Sequence, residues 1–166
     1  MDVINKRRSI RKFIDNPVES KKIEKLLIAA MQAPSAKNQQ PWEFVVVDNR
    51  KILDELSKYS NYANAVLTAP ISIVLVSNME SLQSPEFWEQ DMSAGTENML
   101  LEAVHLGLGA VWLGVNPLKD RMEFIKKLFD LPDNIVPFSV VSVGYTDREN
   151  KFVDRYNEDK IHYNKW

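Results

Sequence analysis

The chain contains no cysteine. That excludes disulfides, thiolate nucleophiles, cysteine-ligated zinc and cysteinyl iron–sulfur clusters. Histidine is nearly absent too: His105 and His162 are too few and too isolated to build a metal centre by themselves. Glycine is scarce, with five in 166 residues. No G-x-x-x-x-G-K-[ST] loop, G-x-S-x-G elbow or H-E-x-x-H pair occurs, so P-loop hydrolysis, an elbow serine and helix-borne zinc find no support. No apolar run approaches the ~20 residues of a membrane span, and no cleavable leader is evident at the N-terminus. A cytoplasmic location is the expectation. There is also no cationic excess: 21 Lys and Arg stand against 23 Asp and Glu, a net charge of −2. General attraction to nucleic acid is therefore not expected, and any anion site must be local.

What is present reads as one soluble domain over residues 1–166, long enough to bury a core. Asp2 is placed to cap a short helix ending near Arg7. Pro17 to Ala33 has helical spacing through Ile23, Leu26, Leu27, Ala30 and Met31, and Pro34 stops it. Glu43 to Val47 is a β-branched strand, Asp48 to Tyr59 a helix, and Ile71 to Ser77 a strand apolar enough to be buried on both faces. Phe87 to Leu106 is the longest helix, with small residues at 94, 95 and 103 that allow close approach of another helix. Ala110 to Val115 and Phe138 to Tyr145 complete the strands. Asn116 and Pro117 have the chemistry of an N-cap and first residue for a helix through Phe129. Residues 146–166 are polar and aromatic without a period, an extended tail in need of a surface. The expected fold is an α+β sandwich with helices flanking a mixed, largely antiparallel sheet.

Two segments carry the functional signal. Lys6-Arg7-Arg8-Ser9-Ile10-Arg11 puts three guanidiniums and a hydroxyl within five residues. Arginine forks onto phosphate, and a charge-assisted hydrogen bond is worth roughly 1.5–3 kcal/mol. The bland alternative is a solvated helix end complementing the C-terminal dipole. Pro34 to Trp42 is a loop between prolines that holds Ser35, Asn38, Gln39 and Gln40. Its amides both donate and accept, which suits the edge of a heterocycle, although such loops also bond their own backbone. Gly107-Leu108-Gly109 does not open a dinucleotide fingerprint, since Trp112 stands where the third glycine belongs. Gly107 reads as a helix terminator, and Gly114 leaves room for a flat ligand. Met92 and Met99 are core or subunit-contact residues. Glu97 and Glu102 are poorly aligned as an acid–base pair. His105 reads as a capping or core residue.

In order and spacing the chain resembles the compact nitroreductase flavoproteins. The likeness is carried by Arg7-Arg8-Ser9-Ile10-Arg11, by Ala33 to Phe44, and by Leu106-Gly107-Leu108-Gly109 leading to Trp112-Leu113-Gly114. It continues through Val143-Gly144-Tyr145 and Arg155-Tyr156 to the terminal His162 to Trp166. The resemblance implies a homodimer with FMN between subunits and NADH or NADPH as donor. Arg7, Arg8, Ser9 and Arg11 would hold the phosphate and the flavin's polar edge, joined by Arg155. Pro34, Ser35, Ala36, Asn38 and Gln40 match the loop over the ring and ribityl chain. Trp112, Leu113 and Gly114 match the segment whose amides lie near flavin N5. No catalytic side chain and no metal are implied.

The same likeness implies ping-pong hydride transfer to nitroaromatic, quinone-like or similar planar acceptors, with the long helix as the main dimer contact and the tail 146–166 over the partner. A flavin carrier without turnover, or a same-fold flavoprotein with another reaction (dehalogenation, dehydrogenation or flavin destruction), is the alternative. Two departures stand out. Only Asn78 to Phe87 is available for a segment over the site, and Val153 replaces the lysine sometimes found two positions before the tail arginine.

Overall fold

A computed structural model describes residues 2–148 and 152–166. Positions 149–151 of the expected tail lie outside the described residues. Four strands form one antiparallel sheet: β1 (Trp42–Val47), β2 (Ile71–Asn78), β3 (Gly109–Gly114) and β4 (Ile135–Gly144), in the order β1-β2-β4-β3. Among the described residues the parallel component is a single bridge, Ser9 to Ala110, beside β3. The α+β sandwich expected from the sequence is the one found.

The apolar pattern explains the layers. β2 is buried along nearly its whole length, because both faces are covered. Val74 and Val76 pack with Val111 and Leu113 on one side. Ile73 and Leu75 pack with Ala110 and Trp112 on the other. Helices α2 (Ser20–Met31) and α4 (Trp88–His105) cover the second face. α3 (Arg50–Leu56), α5 (Lys119–Leu128) and the stretch carrying Ile10 and Phe13 cover the first. Leu26, Leu56 and Ile125 are wholly buried, and each contributes about 1.5–3 kcal/mol of transfer free energy. The short α1 (Asp2–Lys6) precedes the arginine run.

Met92 and Met99 are core residues with no exposed surface. Gly95 on α4 meets the Ala30 carbonyl and the Trp42 ring of the same chain. The small residues of the long helix therefore serve packing within one chain. Gly107 ends α4 with a φ of +73°, the left-handed conformation expected of a terminator.

Several expected boundaries shift. α2 begins at Ser20, not Pro17, β4 begins at Ile135, not Phe138, and α5 begins at Lys119 with Leu118 at its N-cap, not at Asn116 and Pro117. The amides of Val115 and Asn116 both donate to the Phe138 carbonyl, at 3.2 and 3.0 Å. The chain thus stays attached to β4 beyond the last residue of β3, and the helix starts later.

Candidate functional site

The arginine run is fixed at its middle. Ile10 donates its amide to the Ala110 carbonyl at 2.9 Å and is buried against Gly109. A methyl at Gly109 would fall 2.8 Å from Ile10 Cγ2, so only glycine lets the two backbones approach this closely. Because Ile10 points inward, its neighbours Ser9 and Arg11 are exposed. Arg11 makes one long bond, from Nη1 to the Ser9 carbonyl at 3.4 Å.

Arg11 opens into a cavity of about 370 Å³, lined also by Tyr59, Asn61, Asn64, Leu113, Gly114 and Arg121. Trp112 contributes as well, while its ring packs against Phe138 with centroids 5.6 Å apart. At Gly114 nothing lies within 4 Å of where a Cβ would stand, so the end of β3 is open to a flat group. Arg121 Nη1 donates to the Gly114 carbonyl at 2.8 Å. Tyr59 is buried, and burial pushes its phenol far above the ordinary tyrosine range despite the opposing pull of Arg121. It stays a neutral donor. No Asp or Glu lines this cavity among the described residues.

The other expected site residues lie elsewhere on the single chain. Arg7 is half-buried and paired with Glu97 of α4, Nε to Oε1 3.3 Å. Arg8 donates to the Arg7 carbonyl at 2.6 Å and shares a cavity of about 270 Å³ with Phe152 and Arg155. The loop of Pro34, Ser35, Ala36, Asn38 and Gln40 is held from α4. Buried Asp91 accepts from the Ala36 amide at 3.0 Å and from Gln39 Nε2 at 2.7 Å. Gln40 closes the loop internally, its amide donating to Ser35 Oγ and its Nε2 to Asn38 Oδ1, both at 3.0 Å. The structure brings together Arg11, Trp112, Leu113 and Gly114, and separately Arg8 and Arg155.

Sequence reasoning missed Tyr59, Asn61, Asn64 and Arg121 at the cavity and Asp91 beneath the loop. No motif flags them. The only trace was the polar run Ser57 to Asn64 between two apolar segments.

A model of the nitroreductase family matches residues 4–72 and 58–145. The chain belongs to the nitroreductase family. Over all 166 residues this family member is 43% identical to a protein of Methanothermobacter thermautotrophicus, covering 87% of it, which is provisionally named an NADH dehydrogenase/NAD(P)H nitroreductase. Its structure is similar to that of a Clostridium acetobutylicum protein provisionally named an NADH oxidase, with TM-score 0.98 and 55% identity over 99% of this chain and 100% of that one. An FMN-dependent nitroreductase of Clostridium difficile matches at TM-score 0.92 and 32% identity, over 99% and 98% of the two chains. Membership places this chain among nitroreductase-type oxidoreductases.

Proposed function

We propose that the chain is an FMN-dependent oxidoreductase that draws electrons from NADH or NADPH and passes them to nitroaromatic, quinone-like or similar planar acceptors. The observation that carries the reading is the Arg11–Gly114–Arg121 cavity, which is cationic, carries the side-chain amides of Asn61 and Asn64, and is open at Gly114 at the end of β3. Those donors fit FMN: guanidiniums and amides for the carbonyls and ring nitrogens of the pyrimidine edge, and an open strand end for the ring. The volume lies within the usual range for a ligand pocket, about 300–1,000 Å³. Of the similar proteins named above, the one from Clostridium difficile carries FMN in its name and the one from Methanothermobacter thermautotrophicus carries NAD(P)H.

Bound flavin supplies hydride acceptance and release at N5. The chain's part is to hold, orient and charge-balance. Arg11 and Arg121 present positive charge to the polar edge. Arg8 and Arg155 line a second cavity together with Asp154, and their guanidiniums have the chemistry to bind phosphate. Asp91 fixes the amide-rich loop that covers the ring, so that loop geometry does not depend on the ligand. Donor and acceptor use the same face in turn, a ping-pong order.

The loop and the Arg11 cavity are separate parts of one chain, and the family's shared cleft unites them across a homodimer. In support, the tail exposes Phe152, Tyr156, Tyr163 and Trp166, apolar surface that a second copy covers. Among the described residues no helix is long and apolar enough to cross a membrane.

The experiment is anaerobic. The FMN-loaded protein should bleach with NADH or NADPH and recover its colour when a nitro compound or quinone is added. A flavin that both donors leave oxidised would sink the reductase reading and favour a carrier.

A further inference from the structure

We infer that Glu97 is a positioning residue of the phosphate subsite: by holding Arg7 it fixes α1 and the start of the arginine run against α4. The inference rests on the FMN reading above and adds a residue outside the Arg11 cavity.

α1 cannot stand alone. It has five residues, none of them buried, and an isolated helix shorter than about 12–15 residues is marginal in water. Its place is set by what it touches. Val3 lines one cavity with Ala29 of α2 and Asn98 of α4, while Ile4 and Asn5 wall the cavity that Arg8 and Arg155 line. The Arg7 amide donates to the Val3 carbonyl at 2.9 Å, so Arg7 and the helix move together. Arg7 Nε then meets Glu97 Oε1 at 3.3 Å. Lys6–Asp2, Lys22–Glu19, Arg50–Asp54 and Lys58–Glu55 pair residues three or four apart. Arg7–Glu97 instead ties two separate elements.

The Glu97 end of this tie is rigid. Thr96 and Met99 have no exposed surface, and Asn98 Nδ2 donates to the Ala29 carbonyl at 3.2 Å. The ion pair engages Nε and leaves the terminal amino groups of Arg7 uncommitted among the described residues. Arg8 Nη1 donates to the Arg7 carbonyl at 2.6 Å, so a displaced Arg7 displaces Arg8 with it. As a negative charge, Glu97 also opposes a phosphate. Its side chain is 47% exposed, so solvent screens that repulsion, and the placement of the guanidiniums outweighs it.

The test measures Kd for FMN and for riboflavin, which lacks the phosphate, with wild type, Glu97→Gln, Arg7→Gln and the double variant. Glu97→Gln should weaken FMN binding about fivefold, the upper end for a partly exposed ion pair, and leave riboflavin binding unchanged. The double variant should lose no more FMN affinity than Arg7→Gln alone, because Glu97 acts through Arg7. FMN affinity in Glu97→Gln equal to or above that of wild type overturns the proposal. So does an equal loss of riboflavin affinity, or an additive double variant, and each of these leaves the flavin reading standing. Wild type that binds neither flavin overturns the functional reading itself. Should Glu97→Gln fail to fold, Glu97→Asp, which keeps the charge but draws it back by one methylene, carries the same expectation.

Discussion

Gln39 and Asp91 are joined side chain to side chain, Gln39 Nε2 donating to Asp91 Oδ2 at 2.7 Å across 52 residues of sequence. The orientation of the Gln39 amide is set on its other side by Ser84, whose amide donates to Oε1 at 2.9 Å and whose carbonyl accepts from Nε2 at 3.0 Å. This matters because the loop is strained. Lys37, Asn38 and Gln40 hold φ values of 49°, 55° and 46°, each disfavoured by roughly 1–2 kcal/mol for an L-residue. The anchor to α4 offsets part of that cost.

Replacing Asp91 by Asn should therefore be worse than its size suggests. One amide oxygen still accepts from Ala36, but the new NH₂ faces Gln39 Nε2, which Ser84 prevents from flipping. Two donors opposed cost about 1–3 kcal/mol. Urea unfolding should show that loss. FMN retention after dialysis should fall further than stability does; an unaltered denaturation midpoint would contradict the anchor.

Gly109→Ala tests how the arginine run is placed. The added methyl would sit 2.8–2.9 Å from three Ile10 atoms, so Ile10 and the Ser9–Ala110 bridge must move. Overpacking of this kind costs about 1–3 kcal/mol. Arg11 moves with Ile10, and FMN affinity should drop in proportion. Native-like flavin binding in a folded Gly109→Ala protein would show that the close approach is dispensable.

Arg11→Ala should weaken FMN retention far more than it unfolds the protein, because its side chain is exposed and, among the described residues, makes only the 3.4 Å contact. Equal flavin content in wild type and variant after dialysis would remove Arg11 from the site.

Tyr145 links Glu19 and Lys22, and this gives the stability a pH signature. Lys22 Nζ donates to Tyr145 Oη at 2.7 Å, and that hydroxyl donates to Glu19 at 2.8–2.9 Å. The Tyr145 bond, then the Glu19 charge, raise Lys22 above the ordinary lysine value. The Glu19 backbone amide first, then Tyr145, hold Glu19 below the ordinary carboxylate range. The Lys22 contribution is complete below about pH 10 and lost as pH rises through the raised value. The Glu19 contribution is complete above about pH 5 and lost as pH falls through the lowered value. Unfolding midpoints of Tyr145→Phe across pH should show a shallower alkaline limb. A wild-type-like limb would deny the coupling.

Removing residues 152–166 should lower both dimer content and FMN retention in sedimentation runs, since the exposed rings of Tyr163 and Trp166 would lose their covering role. A truncated chain that stays a flavin-replete dimer would rule the tail out.

Local order was written plainly in the residues. Ile23, Leu26 and Ala30 recur at helical spacing and form α2; the unbroken apolar run from Ile71 is the doubly buried β2; Gly107 ends α4 as a left-handed glycine. Periodicity and backbone sterics act over a few residues, so these features need no distant partner. The arginine run and the amide-rich loop were visible for the same reason, as concentrations of chemistry within nine residues or fewer.

What came only from folding is the meeting of remote groups. The start of α5 shifted because β4 still held the amides of Val115 and Asn116. Buried Asp91 found its donors in Ala36 and Gln39, 55 and 52 residues away. Arg121 and Tyr59 reached the Arg11 cavity because two covering segments of the sheet converge at the end of β3. Such contacts depend on strand order and register, which follow from burying the whole sheet at once and not from any short stretch of chain.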